Sequence, residues 1–255
     1  SANGKTAYFA TDRLNKSNSN RNDIYSFELY EEARPQPVTY VKAKIIDAKT
    51  KKPLSANLDI SDLNGQKSYY QEVVDEQGIF LVPLPVGKQY ALNVNKKGYI
   101  FHSENFALEN TNTSIDPFLM IIPLSKIPPR PEPSVTVKEE IVPFPVVLKN
   151  VFFETASADL KPISKIELDM LYNLLNEQSD LRIQLNGHTD DVGKDEDNMA
   201  LSDARAKAVF DYLVSKGISS DRMRFKGFGE TKPVASNDTE EGKRQNRRTE
   251  FQLIN

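Results

Sequence analysis

The stretch LRIQLNGHTDDVGKDEDNMALSDARA, Leu181–Ala206, changes its periodicity twice. Leu181, Ile183 and Leu185 alternate with polar residues, the period-2 signature of a half-buried strand. Asn186-Gly187 ends that run. The polar segment HTDDVGKDED has too few apolar residues for a core element and reads as a loop. From Asn198 the spacing turns helical: Leu201, Ala204, Ala208, Val209, Tyr212 and Leu213 share one broad face, and Gly217 stands where such a helix would end. A strand, a charged loop and a helix start therefore meet, with Asp190 at the mouth of the loop and Arg205 in the second turn of the helix.

The flanking sequence extends this into an alternation of strands and helices. Upstream, Val146-Val147-Leu148 and Val151-Phe152-Phe153 read as a buried strand. Pro162 suits a first helical position, and Ile163, Ile166, Met170, Leu171, Leu174 and Leu175 form a 3.6-residue stripe. Downstream, Arg222–Lys226 predicts a third strand with Met223 and Phe225 facing in. Thr239 with its two following glutamates starts a short helix, and Arg248–Ile254 alternates as the last strand. This order predicts an α/β sandwich, helices packed on one face of a mixed sheet.

Gly187-His188-Thr189-Asp190, then Asn198, Leu201-Ser202 and Arg205-Ala206, resemble the OmpA-like peptidoglycan-binding domain of Gram-negative envelope proteins. Gly217-Ile218, Arg222, Gly227-Phe228-Gly229-Glu230, Pro233 and Asn246-Arg247-Arg248-Thr249-Glu250-Phe251 follow in the family's order. Val151-Phe152-Phe153-Glu154 and Leu160-Lys161-Pro162 resemble its first strand and helix entry. The resemblance covers Val147 to Asn255; the loop departs from it by being more acidic, with Asp191 and the DED run.

That resemblance implies a ligand, the peptidoglycan stem peptide, centred on diaminopimelate. This residue ends in an ammonium and a carboxylate on one carbon, and a site for it needs an anion and a cation several ångströms apart. On the matching positions, Asp190 is expected to accept the ammonium and Arg205 to grip the carboxylate with its two-pronged guanidinium. Backbone N–H groups near the start of the second helix would add donors and a favourable dipole. Thr189, Asn198 and Leu201 are expected to line the pocket, with Phe153, Glu154 and Thr155 opposite and Arg248 near. Arg247 is expected to be structural, bonding loop carbonyls or an acidic neighbour. Taken without the family, Asp190 caps the loop, Asn198 is an N-cap and Arg205 makes a surface salt bridge.

Enzymatic readings fare poorly. His188-Thr189-Asp190-Asp191 has no second nearby histidine or cysteine to complete a metal site, and DDVGKDED lacks EF-hand spacing. Gly227-Phe228-Gly229 falls short of a dinucleotide fingerprint, and no G-x-S-x-G elbow is present. No cofactor or metal is expected. With 255 residues, 38% hydrophobic and 27% charged, the composition is that of one or two globular domains. No apolar run approaches the roughly 20 residues of a membrane span. The net charge of −3 argues against nucleic acid. With no cysteine, disulfides and thiol catalysis are excluded. The opening Ser1-Ala2-Asn3-Gly4 shows no signal-peptide pattern and reads as a mid-protein start.

Three earlier sections precede the last domain. Residues 1–34 hold two strand-like runs, Thr6–Ala10 and Asp23–Leu29, a hairpin that resembles the last strands of a propeller-type repeat. Residues 35–122 hold short β runs, with Asn64-Gly65 as a hairpin signal and Gly78, Gly87 and Gly98 at turns. Phe80, Tyr90 and Tyr99 are expected in the core, and His102 stands alone. This section resembles the carboxypeptidase-regulatory-like domain, a small Ig-like β-sandwich without chemistry of its own. Residues 123–145 contain seven prolines and predict an extended, semi-rigid linker that holds the domains apart.

The fold class expected is therefore multi-domain: an all-β Ig-like sandwich and an α/β OmpA-like domain, 146–255, joined by a Pro-rich linker. The combination resembles Bacteroidetes periplasmic proteins of the type IX secretion machinery. It implies a non-enzymatic tether in the periplasm, associated with the outer membrane and cell wall, with outer-membrane secretion-complex proteins as partners. The alternatives are an interaction scaffold that has lost ligand binding and a cell-wall hydrolase.

Overall fold

The computed structural model describes residues 5–11, 23–34, 38–63, 67–108, 118–128 and 145–254. At its start, β1 (Thr6–Thr11) pairs antiparallel with β2 (Asp23–Glu28). Alternation puts Phe9, Tyr25 and Phe27 on one face of this hairpin, where Phe9 stacks on Tyr25 at 5.6 Å. The polar loop expected between the two strands lies outside the described residues.

Seven strands follow: β3 (Val38–Asp47), β4 (Ala56–Asp62), β5 (Lys67–Val74), β6 (Ile79–Pro85), β7 (Lys88–Asn95), β8 (His102–Leu108) and β9 (Phe118–Leu124). They form two sheets, ordered β6-β3-β9 and β5-β4-β7-β8. Val41, Ala43 and Ile45 of β3 alternate inward onto Ile60, Tyr90 and Leu92 of the facing sheet, so the two sheets share one core. Gly78 has φ +68, and a Cβ there would stand 2.5 Å from Ile45 O, so this turn requires glycine. Phe80 and Tyr90 are buried, and Tyr99 is partly buried against the same core. The Asn64-Gly65 turn lies outside the described residues; the antiparallel β4–β5 pair it was expected to join is present.

The last domain comprises β10 (Val146–Val147), α1 (Ser164–Glu177), β11 (Arg182–Gly187), α2 (Asp195–Ser215), β12 (Met223–Gly227), α3 (Glu240–Asn246) and β13 (Thr249–Ile254). The sheet order is β10-β13-β11-β12, with β11–β12 parallel and β11–β13 antiparallel. Ile183, Leu185, Met223, Phe251 and Leu253 join Leu168, Leu171 and Leu175 of α1 and Val209 and Leu213 of α2 in one core. Arg222 ties the layers at the other end, donating to the carbonyls of Leu175, Gln178 and Leu181. Thr239 caps α3 as expected, its hydroxyl accepting from Gly242 N–H.

Several expectations need correcting. Asp195-Glu196-Asp197 are not loop but the first turn of α2, where acidic side chains complement the positive end of the helix dipole. Asn198 is therefore inside the helix and not its N-cap. The buried stripe of α2 is Asn198, Ser202, Ala206, Val209 and Leu213, whereas Ala204 is exposed. Val151-Phe152-Phe153 form no buried strand: the segment is half-buried and irregular, save a bridge from Phe153 to Leu160. Its polar groups go to α1 instead, since Ser164 Oγ takes both the N–H and the carbonyl of Phe152 at 2.8 Å. Pro162 sits in the turn before α1, which starts at Ser164. Finally, Pro123 and Leu124 belong to β9, Lys126 bridges to Tyr99, and Ile127 packs on the last domain's core. Residues 129–144 lie outside the described residues.

The two domains are not held apart. Phe101, just before β8, is buried in the last domain's core and stacks on Phe251 at 6.0 Å. Glu167 of α1 is fully buried at this seam and accepts from Ser103 Oγ and from Asn150 N–H. Asn105 Nδ2 donates to Lys149 O at 2.9 Å, and Lys149 pairs with Glu104 at 2.6 Å.

Burial pushes the Glu167 carboxyl up from 4.5 to about 7, against the opposing hydrogen bonds from Ser103 and Asn150 and the nearby Lys149 charge. The folded protein thus keeps this proton where the unfolded chain has lost it, so the stabilisation is full below pH 4.5 and lost as pH rises through 7. Glutamine mimics the protonated group. Urea unfolding at several pH values should therefore show Glu167→Gln gaining on the wild type between pH 4.5 and 8, by up to about 3 kcal/mol. A constant difference across that range would contradict this account of Glu167.

Candidate functional site

The end of β11 and the flank of α2 can approach closely because both contact residues of the sheet are glycines. A Cβ at Gly187 would stand 2.0 Å from Ser202 O, and one at Gly227 would stand 2.4 Å from Asp203 N. Ser202 Oγ accepts from Gly229 N–H at 2.8 Å and Asp203 Oδ1 from Gly227 N–H at 3.0 Å. This contact fixes where Asp190, three residues past Gly187, stands relative to Arg205, one helical turn past Ser202.

Asp190 is buried, with 6% of its surface exposed. Its Oδ1 accepts from Val192 N–H at 3.2 Å, which folds the loop back on itself, and its Oδ2 pairs with Arg247 Nη1. Asn198 Nδ2 donates to Asp190 O at 3.3 Å and to Glu230 Oε2 at 2.7 Å, pinning the loop to the helix and to the β12–α3 connection. Thr189 N–H donates to Gly229 O, whereas the Thr189 hydroxyl is buried and has no partner among the described residues.

Arg205 is held from the other side. Its Nε donates to Ser157 O at 3.0 Å and its guanidinium lies 5.1 Å from the Phe153 ring centroid. Among the described residues Arg205 makes no ion pair, and no protein group takes its Nη donors. Burial lowers its proton affinity, Arg247 acts in the same direction, and Asp190 opposes both. The carboxylate and the two guanidiniums thus sense one another, while only Arg247 bonds to Asp190. Leu201 is half-buried on α2. Glu154 and Thr155 are exposed on the turn beyond Phe153, Glu154 pairing with Lys161 at 3.6 Å.

Beneath the loop, the His188 ring stacks on Phe228 at 5.3 Å, with the Lys232 ammonium 4.1 Å from the Phe228 ring centre. His188 Nε2 lies 3.2 Å from Glu250 Oε1 without the alignment of a hydrogen bond. Burial raises the Glu250 carboxyl, but His188 and Arg248 outweigh it and hold that group below its usual range.

Arg248, expected near the ligand, spends its guanidinium on Glu250 Oε2 and on the carbonyls of Asn246 and Lys232. Arg247 does bond an acidic neighbour, and that neighbour is Asp190. Arg247 closes α3 and Arg248 leads into β13, and of the two only Arg247 reaches Asp190. Which of them meets Asp190 depends on the Gly187–Thr249 register, which local pattern does not encode. The expected help from the start of α2 is reduced, because Asp195, Glu196 and Asp197 already line that exposed turn. Ser157 and Glu230 were not foreseen as partners of the site, and the acidic neighbour expected for Arg247 was not identified as Asp190; these contacts come from tertiary placement. Among the described residues no group of three or more His, Cys, Asp or Glu side chains is placed to hold a metal.

Residues 152–247 match the sequence profile of the OmpA family. The probable lipoprotein YiaD of Escherichia coli strain K12 is 40% identical over 104 residues, which make up 41% of this chain and 48% of that protein. The peptidoglycan-binding protein ArfA of Mycobacterium tuberculosis strain H37Rv is 39% identical over 101 residues, 40% of this chain and 31% of ArfA. Among solved structures, the peptidoglycan-associated lipoprotein from Burkholderia pseudomallei is 30% identical, the match covering 41% of this chain and 88% of that one at a TM-score of 0.38. The chain spans less than half the length of these two curated relatives.

The Gly187 contact gives a direct test of how the site is held. Gly187→Ala should cost about 3 kcal/mol in urea unfolding, because the clash is with helix backbone that has nowhere to move. A cost under about 0.5 kcal/mol would show that β11 and α2 do not pack this closely.

Proposed function

This chain carries a domain of the OmpA family, and from that premise we propose that it binds peptidoglycan non-covalently through the diaminopimelate of the stem peptide. The observation that carries the reading is the Arg205 guanidinium: half-buried, braced by Ser157 O and the Phe153 ring, its outer nitrogens without a protein partner, beside the buried Asp190 carboxylate. A braced guanidinium fork is suited to a carboxylate guest. An ammonium on the same carbon of the guest would then fall towards Asp190.

Asp190 has room in its hydrogen-bonding capacity. A carboxylate offers about four lone-pair sites, and two are used, by Val192 N–H and Arg247. Arg247, whose side chain is 42% exposed, keeps the buried carboxylate charge-balanced before a guest arrives. The guest ammonium then shares Asp190 with Arg247 or displaces it. The unpartnered Thr189 hydroxyl is a further donor at the loop. Thr189, Asn198 and Leu201 line one side in this reading, with Phe153, Glu154 and Thr155 across from them.

The wider role is a tether. With the sandwich docked on the wall-binding domain, the chain would link an outer-membrane or periplasmic complex to the cell wall, without catalysis. The β-sandwich and hairpin are read as the carboxypeptidase-regulatory-like and propeller-like parts of a PorE-type protein of the type IX secretion machinery, whose components would be its partners. A relative of 39% identity, ArfA, is named as peptidoglycan-binding. The Asp190–Arg247 pair favours a second reading, an interaction scaffold whose site is already closed by its own cation.

Calorimetric titration with a diaminopimelate-containing muropeptide separates the two. Asp190→Ala and Arg205→Ala should each weaken binding by roughly 30-fold or more, and Arg205→Lys should also lose most of the affinity because an ammonium has no planar fork. Absent binding in the wild type and both alanine variants would favour the scaffold, whereas equal measurable affinity in all of them would put the guest away from Asp190 and Arg205.

A further inference from the structure

One carboxylate at the domain seam reaches both domains. Glu167 Oε1 accepts from Ser103 Oγ of β8, and its Oε2 accepts from Asn150 N–H in the segment that leads from β10 to α1. Three residues earlier on α1, Ser164 Oγ takes both backbone groups of Phe152. The first turn of α1 therefore grips residues 150–152 twice, and β8 grips the same turn through Ser103. β8 adds two more holds, Asn105 on Lys149 O and Glu104 on the Lys149 ammonium.

The segment so held is the one that braces Arg205. Phe153 follows at once and presents its ring to the guanidinium. The loop then closes through Glu154 N–H on Asp159 O at 3.0 Å and Ser157 N–H on Glu154 O at 3.2 Å. Ala156 in this loop has φ 51, a left-handed conformation that a side-chain-bearing residue keeps only where its surroundings impose it. Next to it, Ser157 O receives Arg205 Nε. A continuous run of hydrogen bonds and backbone thus connects a β-sandwich hydroxyl to the cation of the site.

We propose that Glu167 is a positioning residue for Arg205, and that the β-sandwich, through Ser103, holds the Asn150–Ser157 segment in the shape that braces the guanidinium. The sandwich is then a part of the binding apparatus, not a passive neighbour. Undocking it would loosen the segment and weaken the grip on a carboxylate guest. Its consequence for affinity rests on the peptidoglycan reading of the site; its consequence for the segment does not.

The experiment uses the whole chain and two readouts. Amide hydrogen exchange without ligand follows residues 150–161, with β11 as internal reference. Titration with a diaminopimelate-containing muropeptide gives affinity. Glu167→Leu keeps the volume but strips the acceptors, and should speed exchange in 150–161 and weaken the peptide by roughly tenfold. Ser103→Ala should act in the same direction more mildly. Glu167→Gln, whose oxygen can take Asn150 N–H while its NH2 donates to Ser103 Oγ, and Ser103→Thr, which keeps the hydroxyl, should stay within about twofold of the wild type. Ile60→Val, a trim in the sandwich core, should destabilise without touching either readout. Unchanged exchange in Glu167→Leu and Ser103→Ala overturns the proposal, as does unchanged affinity when the wild type binds. Should the wild type bind no peptide, the reading of the site falls, and exchange alone decides for or against the positioning role.

Discussion

Gly187 and Gly227 set the geometry on which the site depends. Any side chain at either position would run into the backbone of α2, so β11 and β12 lie against the helix as closely as main chains can. Buried Ser202 and Ala206 keep the helix side equally small. Because that contact is so close, a carboxylate just past the end of β11 and a guanidinium one turn beyond Ser202 on α2 stand in a set relation without bonding each other. Each end of that pair has its own supports, Asn198 and Arg247 at Asp190, and Phe153 and Ser157 at Arg205.

Much of this was legible in the sequence, and the reason is periodicity. Leu181, Ile183 and Leu185 could only be a half-buried strand, and the leucines of α1 only a helix face, because each pattern buries one side under one period. Thr239 announced its helix through local cap chemistry. The glycines of the sandwich turns, such as Gly78, were legible for the same local reason. Segment 151–153 was misleading because three apolar residues in a row carry no period. Its backbone groups are claimed by Ser164, a tertiary partner that alternation does not reveal. The Asp195–Asp197 run looked like loop because it is polar throughout, yet at the first turn of a helix acidic residues are favourable. The choice between Arg247 and Arg248 was beyond sequence reading, since it rests on how β13 registers with β11.

The domain seam carries the same lesson at larger scale. Proline content argued for separation, and the described chain instead brings Phe101 into the last domain's core and Ser103 onto Glu167. An ordinary aromatic and an ordinary serine give no sign in sequence that their partners lie in another domain. Glu167 gave no sign either: nothing local to a charged residue among the apolar positions of α1 marks it for burial. Its burial makes the seam sensitive to protonation, because desolvation outweighs the hydrogen bonds that Ser103 and Asn150 give the carboxyl.

The central claim is that Asp190 and Arg205 clasp the two charges of one amino-acid zwitterion. A crystal structure of the chain with a diaminopimelate-containing tripeptide tests this most directly. The account predicts the ammonium within about 3 Å of Asp190 and the carboxylate held by both outer nitrogens of Arg205, with Arg247 sharing Asp190 or swung aside. A peptide bound elsewhere, with the Asp190–Arg247 pair intact and the Arg205 fork still empty, would contradict it.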